Sequence, residues 1–342
     1  MNIVLSKTFD FLRFPLALLV VYIHIDQIPQ IIVGDLNFFH FDFSTLYYVF
    51  TIIIAQILAR VAVPSFFLIS GYLYFINIID MDKNIYLSKT RKRFFTLFIP
   101  YVFWNILGGI YFILLEGNVS QNFEEKHFLF WLFLKPADFP LWFVRDLIIF
   151  SLFTPIFYIL IKYFKYMGLI MLGFIFLFFP YCGIAWMSIS SLFFFYFGAY
   201  CGFYKINIGN VGQSIKWGFY IVTIILIVTN FIFYGYKNLY LTNTYLLIGV
   251  FSLIFLVYDL IDKNRLHNIS LLTSASFFIY AIHRLGITGI SKTCLFFLPN
   301  NYWGLSIKFF ISPLITAILC LILYVFLKKF TPKFLSVITG GK

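Results

Sequence analysis

The residues of this sequence that could do chemistry are ionisable groups set inside long apolar runs: Arg13, His24, Asp26, Arg60, Arg145, Asp146, His283 and Arg284. A charge at the centre of a bilayer costs at least about 2.5–3.5 kcal/mol on insertion scales, so such groups are functional candidates first. The first run reads FDFLRFPLALLVVYIHIDQIP. On a helix, eleven steps from Arg13 to His24 rise roughly 16 Å and return to nearly the same face. Pro15 suits a first helical turn, which places Arg13 at the inner interface and His24 deep in the membrane. An anion held at Arg13 could then send a long arm up one groove to an imidazole. A carbonyl-bonded histidine and a snorkelling arginine would satisfy the same spacing. Asp26, two residues from His24, can orient it only if the helix breaks before Pro29.

The second run, ILARVAVPSFFLISGYLYF, carries Pro64 four residues after Arg60. Proline cannot donate to that carbonyl, so a kink with a buried cation at its base is expected. Ser70 and Gly71 lie near the inner end, where a glycine admits a close helix or ligand. Next come Lys89, Arg91, Lys92 and Arg93 in KTRKRFFTLFIPY, a cluster suited to phosphates. PLWFVRDLIIF offers Trp142, Arg145 and Asp146, placed near the outer mouth and suited to a sugar. SASFFIYAIHRLGI puts Tyr280 and His283 on one helical face in the outer half. The expected arrangement is a basic inner layer, a polar outer layer, and His24 between them.

The elements that must position these groups are membrane spans. Of the 342 residues, 62% are hydrophobic and 11% charged, against about 45–50% and 25% in ordinary globular chains. That excludes a soluble or a disordered protein. Runs of about 20 apolar residues predict ten spans: 13–33, 46–78, 94–115, 141–161, 166–182, 186–204, 216–236, 242–261, 272–292 and 304–328. With the N-terminus inside, 17 of the 25 Lys and Arg residues fall on the inner side. This asymmetry predicts both termini in the cytoplasm. The net charge of +12 is read the same way, and nucleic acid is not expected as a partner. The four cysteines show no metal or disulfide spacing. The first run lacks a cleavage site and is read as a retained span. The expected fold is all-α and polytopic, one membrane-embedded domain over 1–342 with no fused soluble domain.

Five of these segments, in order, resemble the membrane-bound acyltransferase 3 family, within it the fucose 4-O-acetylase-like branch. They are FDFLR with ten residues between Arg13 and His24, RVAVPSFFLISGYL, the basic cluster followed by Pro100, Tyr101 and Trp104, PLWFVRDL, and SFFIYAIH. The resemblance implies O-acylation, usually acetylation, of a surface polysaccharide or lipid-linked glycan at the cytoplasmic membrane. The implied donor is acyl-CoA, with acetyl-CoA as substrate and no permanently bound cofactor. His24 would be the catalytic base or an acyl relay, with Asp26 and Arg60 as orienting or oxyanion-stabilising partners. Arg13 would hold the coenzyme, and Lys89, Arg91, Arg93 and Ser70 are expected to help. Trp142, Arg145, Asp146, Tyr280 and His283 are expected at the acceptor, and no metal ligand is expected. The competing class is a transporter or flippase for a lipid-linked glycan. It would predict related halves with matching broken helices, and no internal repeat is visible.

Overall fold

A computed structural model describes residues 1–25, 43–116, 136, 139–179, 181, 183–184, 187–234, 238–299 and 301–341. Helix α1 spans Ile3–Ile23 and begins ten residues before the predicted span. Asn2 caps it, its side chain accepting from the amides of Val4 and Leu5. Leu5, Phe9, Leu12 and Leu16 are buried at three- and four-residue spacing, so the core-facing stripe starts well ahead of Arg13. Pro15 therefore lies inside the helix, not in its first turn as expected.

The second run is not one regular helix. Helix α2 (Phe43–Thr51) passes into a π turn (Ile52–Ile57) and a 3-10 turn (Leu58–Val61) before α3 (Ala62–Phe75). The predicted irregularity is present, and it lies on the N-terminal side of Pro64. The missing amide at Pro64 frees the Arg60 carbonyl, and the preceding turns change their pitch.

Helix α4 (Lys83–Arg93), capped by Asp82, continues through a π turn (Phe94–Phe98) into α5 (Ile99–Glu116). Helices α6 (Trp142–Leu152) and α7 (Thr154–Phe164) meet at a 63° bend. Pro155 cannot donate to the Ser151 carbonyl, and the Thr154 hydroxyl does so instead at 2.9 Å. Near the start of α4, Lys162 and Tyr158 both donate to Asp80 at 2.8 Å. These bonds, Lys162 foremost, hold the Asp80 carboxyl below its ordinary range.

The remaining helices are α8 (Tyr166–Phe178), α9 (Ile189–Phe203), α10 (Gln213–Ile232), α11 (Leu239–Asp262), α12 (Ser270–Phe297), α13 (Tyr302–Phe330) and α14 (Pro332–Thr339). Between α8 and α9 a minimal antiparallel ladder pairs Gly183 with Ser188 and Ile184 with Met187. Otherwise the described fold is all-α. Among the described residues, six helical segments are long and apolar enough to cross a membrane, seven if the bent α6–α7 pair counts as one. The other predicted runs are helical too, but α8 and α9 have 13 and 15 residues, and α1 carries Lys7, Asp10 and Arg13. The protein is a polytopic membrane protein.

Two contacts set the frame around the site. Helices α3 and α9 touch backbone to backbone: a Cβ on Gly71, Gly198 or Gly202 would overlap a main-chain oxygen of the opposing helix. Gly198 and Gly202 form a small-xxx-small pair on α9. Helices α1 and α12 run parallel. Asn268 donates to the Lys7 carbonyl and Thr273 to that of Asp10, while His283 faces His24 at the far end. Helix α14 folds back on α5, with the Trp104 indole donating to the Ile338 carbonyl at 2.8 Å.

Candidate functional site

Helix α1 ends at Ile23, and His24 is its C-cap. The break thus comes before Pro29, as a role for Asp26 requires, but Asp26 itself lies outside the described residues. The His24 ring stands 5.3 Å, centroid to centroid, from the ring of His283 on α12. His283 is completely buried. Its Nδ1 lies 2.7 Å from the Tyr280 carbonyl oxygen. A carbonyl only accepts, so the proton sits on Nδ1 and Nε2 presents a lone pair. That Nε2 has no partner among the described residues. A fully buried, unused basic nitrogen costs free energy unless a ligand completes it. Arg284, next in the chain, lies close enough to act electrostatically on both rings.

Tyr280 ties this pair to the rest of the site. Its hydroxyl donates to the Pro140 carbonyl at the entry to α6, and its ring packs edge-on against Phe143 at 5.7 Å. The same tyrosine lines a cavity of about 130 Å³ together with Arg13, Ser70 and Arg93. Apolar walls come from Phe66, Leu147 and Phe277. Arg13, on α1, pairs with Asp10 at 3.2 Å. Arg93 stands over the Tyr74 ring at 5.5 Å, and Lys89, one turn earlier, donates to the Tyr74 carbonyl at 2.8 Å.

The structure thus brings Arg13, Ser70, Arg93 and Tyr280 to one cavity, and sets His283 and His24 beside its Tyr280 wall. It divides the predicted basic cluster. Lys89 and Arg93 share a helical face and turn inward, while Arg91 is exposed. Lys89 is committed to Tyr74 and does not line the cavity. Tyr280, expected in a separate outer layer, is a wall of the arginine cavity. Tyr280 links the two layers because α12 packs along α1.

Arg145 and Asp146 are also displaced from expectation. Both are buried, and the Arg145 Nε and Nη2 donate to one Asp146 oxygen at 2.9 and 2.7 Å. They form an internal ion pair on α6 rather than an open mouth. Trp142 is half-buried with its ring 6.3 Å from Phe67. Arg60 lies elsewhere and is exposed, not buried at the base of the kink as expected. It donates to Gln56 at 3.2 Å and lines a second cavity between the irregular second run and the α10–α11 hairpin.

The histidine pairing was not foreseen from sequence, although its signal was present. His283 sits eleven residues into the predicted run 272–292, as His24 sits eleven beyond Arg13. Two odd-numbered runs enter from the same side, so equal offsets mean equal depth. Among the described residues, no three His, Cys, Asp or Glu side chains are grouped to hold a metal.

No curated protein and no solved structure matches the chain. A family model described as an acyltransferase domain matches residues 7–325. That stretch runs from the first turns of α1 to near the end of α13 and holds the histidine pair and the whole arginine cavity. The chain belongs to the acyltransferase 3 family.

Proposed function

We propose that the protein is an O-acetyltransferase that takes an acetyl group from cytoplasmic acetyl-CoA and delivers it to a hydroxyl of a surface polysaccharide or lipid-linked glycan. The observation that carries this reading is the His24–His283 pair set against a cavity that holds Arg13 and Arg93. Family membership supports acyl transfer in the membrane; the donor, acceptor and residue roles are this proposal's own.

Arg13 and Arg93 offer forked, permanently charged donors of the kind that grip phosphates, which a coenzyme A molecule carries. Helical rise separates Arg13 from His24 by roughly 16 Å, a span for the coenzyme's thioester arm. Ser70 supplies a hydroxyl on the way. The apolar walls exclude water, which protects the thioester and strengthens every charge interaction inside.

At the reacting centre, neutral His24 accepts the hydroxyl proton as the acceptor oxygen attacks the thioester carbonyl. The C–O bond forms, the C–S bond breaks, and the thiolate of coenzyme A leaves and takes up the proton from the imidazolium. His283 Nε2 accepts a hydrogen bond from the incoming hydroxyl and fixes its angle. Trp142 and Tyr280 offer aromatic faces to the acceptor sugar. Arg145 and Asp146 neutralise each other within α6. The excess of Lys and Arg on one side of the predicted spans supports a cytoplasmic donor side and an inner-membrane location.

The test uses purified protein in nanodiscs with radiolabelled acetyl-CoA and a panel of surface glycans. Label passes to a glycan with the wild type and not with His24→Ala. Label held on the protein would replace direct transfer by an acyl-histidine relay. Equal glycan labelling by both proteins would reject the assignment of His24. No label anywhere from folded wild type would reject the acetyl-CoA donor and favour a transporter.

A further inference from the structure

The second cavity, of about 170 Å³, lies apart from the histidine pair and is lined by donors. Arg60 brings a guanidinium with five N–H groups. Among the described residues, its side-chain hydrogen bond goes to Gln56 at 3.2 Å and no carboxylate lines the cavity. Because Gln56 Oε1 accepts that bond, its amide nitrogen is left to donate. Asn238 spends its Oδ1 on capping α11 at Leu241 and likewise keeps its amide N–H groups. The Tyr234 hydroxyl lies within electrostatic reach of Arg60. Asn230 and Thr242 are occupied: Asn230 donates to the Leu226 carbonyl, and Thr242 donates to the Asn238 carbonyl. What remains is one full positive charge and several N–H and O–H donors. Such a set is suited to an oxyanion.

Depth identifies the source of the oxyanion. Helix α10 has 20 residues, so it is about 30 Å long, the thickness of a bilayer's hydrocarbon layer. The cavity opens where α10 ends and α11 begins, which is the level of the lipid headgroups. Tyr234 at that level fits an interfacial aromatic. Arg60 itself is exposed on the side of the bundle. The π and 3-10 turns before Pro64 carry Gln56 and Arg60 to this rim together.

We infer that the Arg60 cavity is a binding site for the phosphate group of a membrane lipid, held by Arg60, Gln56, Tyr234 and Asn238. This site stands on its own donors and location, and is independent of the acyl-transfer reading.

The experiment is native mass spectrometry of the full chain in detergent, titrated with dioleoylphosphatidylglycerol. Dioleoylglycerol, with the same tails and no phosphate, is the comparison lipid, and inorganic phosphate is the competitor. The wild type carries a phosphatidylglycerol adduct and Arg60→Gln lowers its affinity about tenfold, the scale of one charge-assisted contact. Arg60→Lys gives an intermediate value and Tyr234→Phe a smaller loss, which separates binding from misfolding. Arg93→Gln leaves the adduct in place. Displacement by inorganic phosphate would make the anion alone the ligand, and resistance to it would make the lipid tails part of the site. Equal adducts in wild type and Arg60→Gln, equal binding of dioleoylglycerol, or loss of the adduct in Arg93→Gln would each overturn the proposal.

Discussion

Two cavities in this molecule are built around arginine, and they differ in what adjoins them. The Arg13–Arg93 cavity has Tyr280 in its wall, and Tyr280 holds His283 against His24. The Arg60 cavity is bounded by Asn230, Asn238, Thr242 and Tyr234 and, among the described residues, contains no group able to accept a proton from a hydroxyl near pH 7. Each cavity places an arginine where an oxyanion could be held. Among the described residues, only the first adjoins a buried nitrogen with an unused lone pair, and in the proposed function that nitrogen is what would turn an anion site into a reaction site.

His24→Ala sets the largest difference between the two. General-base removal costs about 10²- to 10⁴-fold in rate, and acetyl transfer measured at saturating donor should fall by that much. Asp146→Asn tests whether the buried pair on α6 is structural. Taking away one partner of a buried ion pair costs about 3–5 kcal/mol, so thermal unfolding should move down sharply. An unchanged melting temperature with a raised acceptor KM would return Asp146 to the acceptor site. His283→Gln keeps a side chain of similar reach and lacks the basic nitrogen. It should lower kcat by about 10- to 100-fold with little change in the donor KM. Arg93→Gln should raise the acetyl-CoA KM by about tenfold and leave the acceptor KM alone, because a phosphate contact serves binding more than chemistry. Arg60→Gln should change both constants by less than about threefold. If Arg60→Gln instead matches Arg93→Gln, the two cavities are one functional site and the comparison fails.

Much of the fold was legible because the membrane imposes few solutions. Apolar runs separated by charges became helices, and the Pro64 break appeared in the second run. The start of α1 was misjudged because Lys7 and Asp10 looked like a boundary, whereas Asn2 capping and buried Leu5 and Phe9 extend the helix past them. Of the candidate site, Arg13, Ser70 and Arg93, grouped because each lies near the same end of its run, line one cavity. Arg91 was grouped with them by composition, and helical phase turns it outward. The Arg145–Asp146 pair reads in sequence as a sugar contact; the closure of the two side chains on each other depends on rotamers that sequence does not specify. The His24–His283 contact joins segments 259 positions apart in the sequence. Only the parallel course of α1 and α12 turns two equal offsets into one pair.

The measurement that tests the central claim most directly is a double-mutant cycle on single-turnover acetyl transfer in nanodiscs, using wild type, His24→Ala, His283→Gln and the double variant. If the two imidazoles serve one proton-transfer event, the double variant loses no more rate than His24→Ala alone, because His283 has nothing left to position. Losses that multiply, or full transfer by His24→Ala, would show that the histidines act separately and would contradict the account.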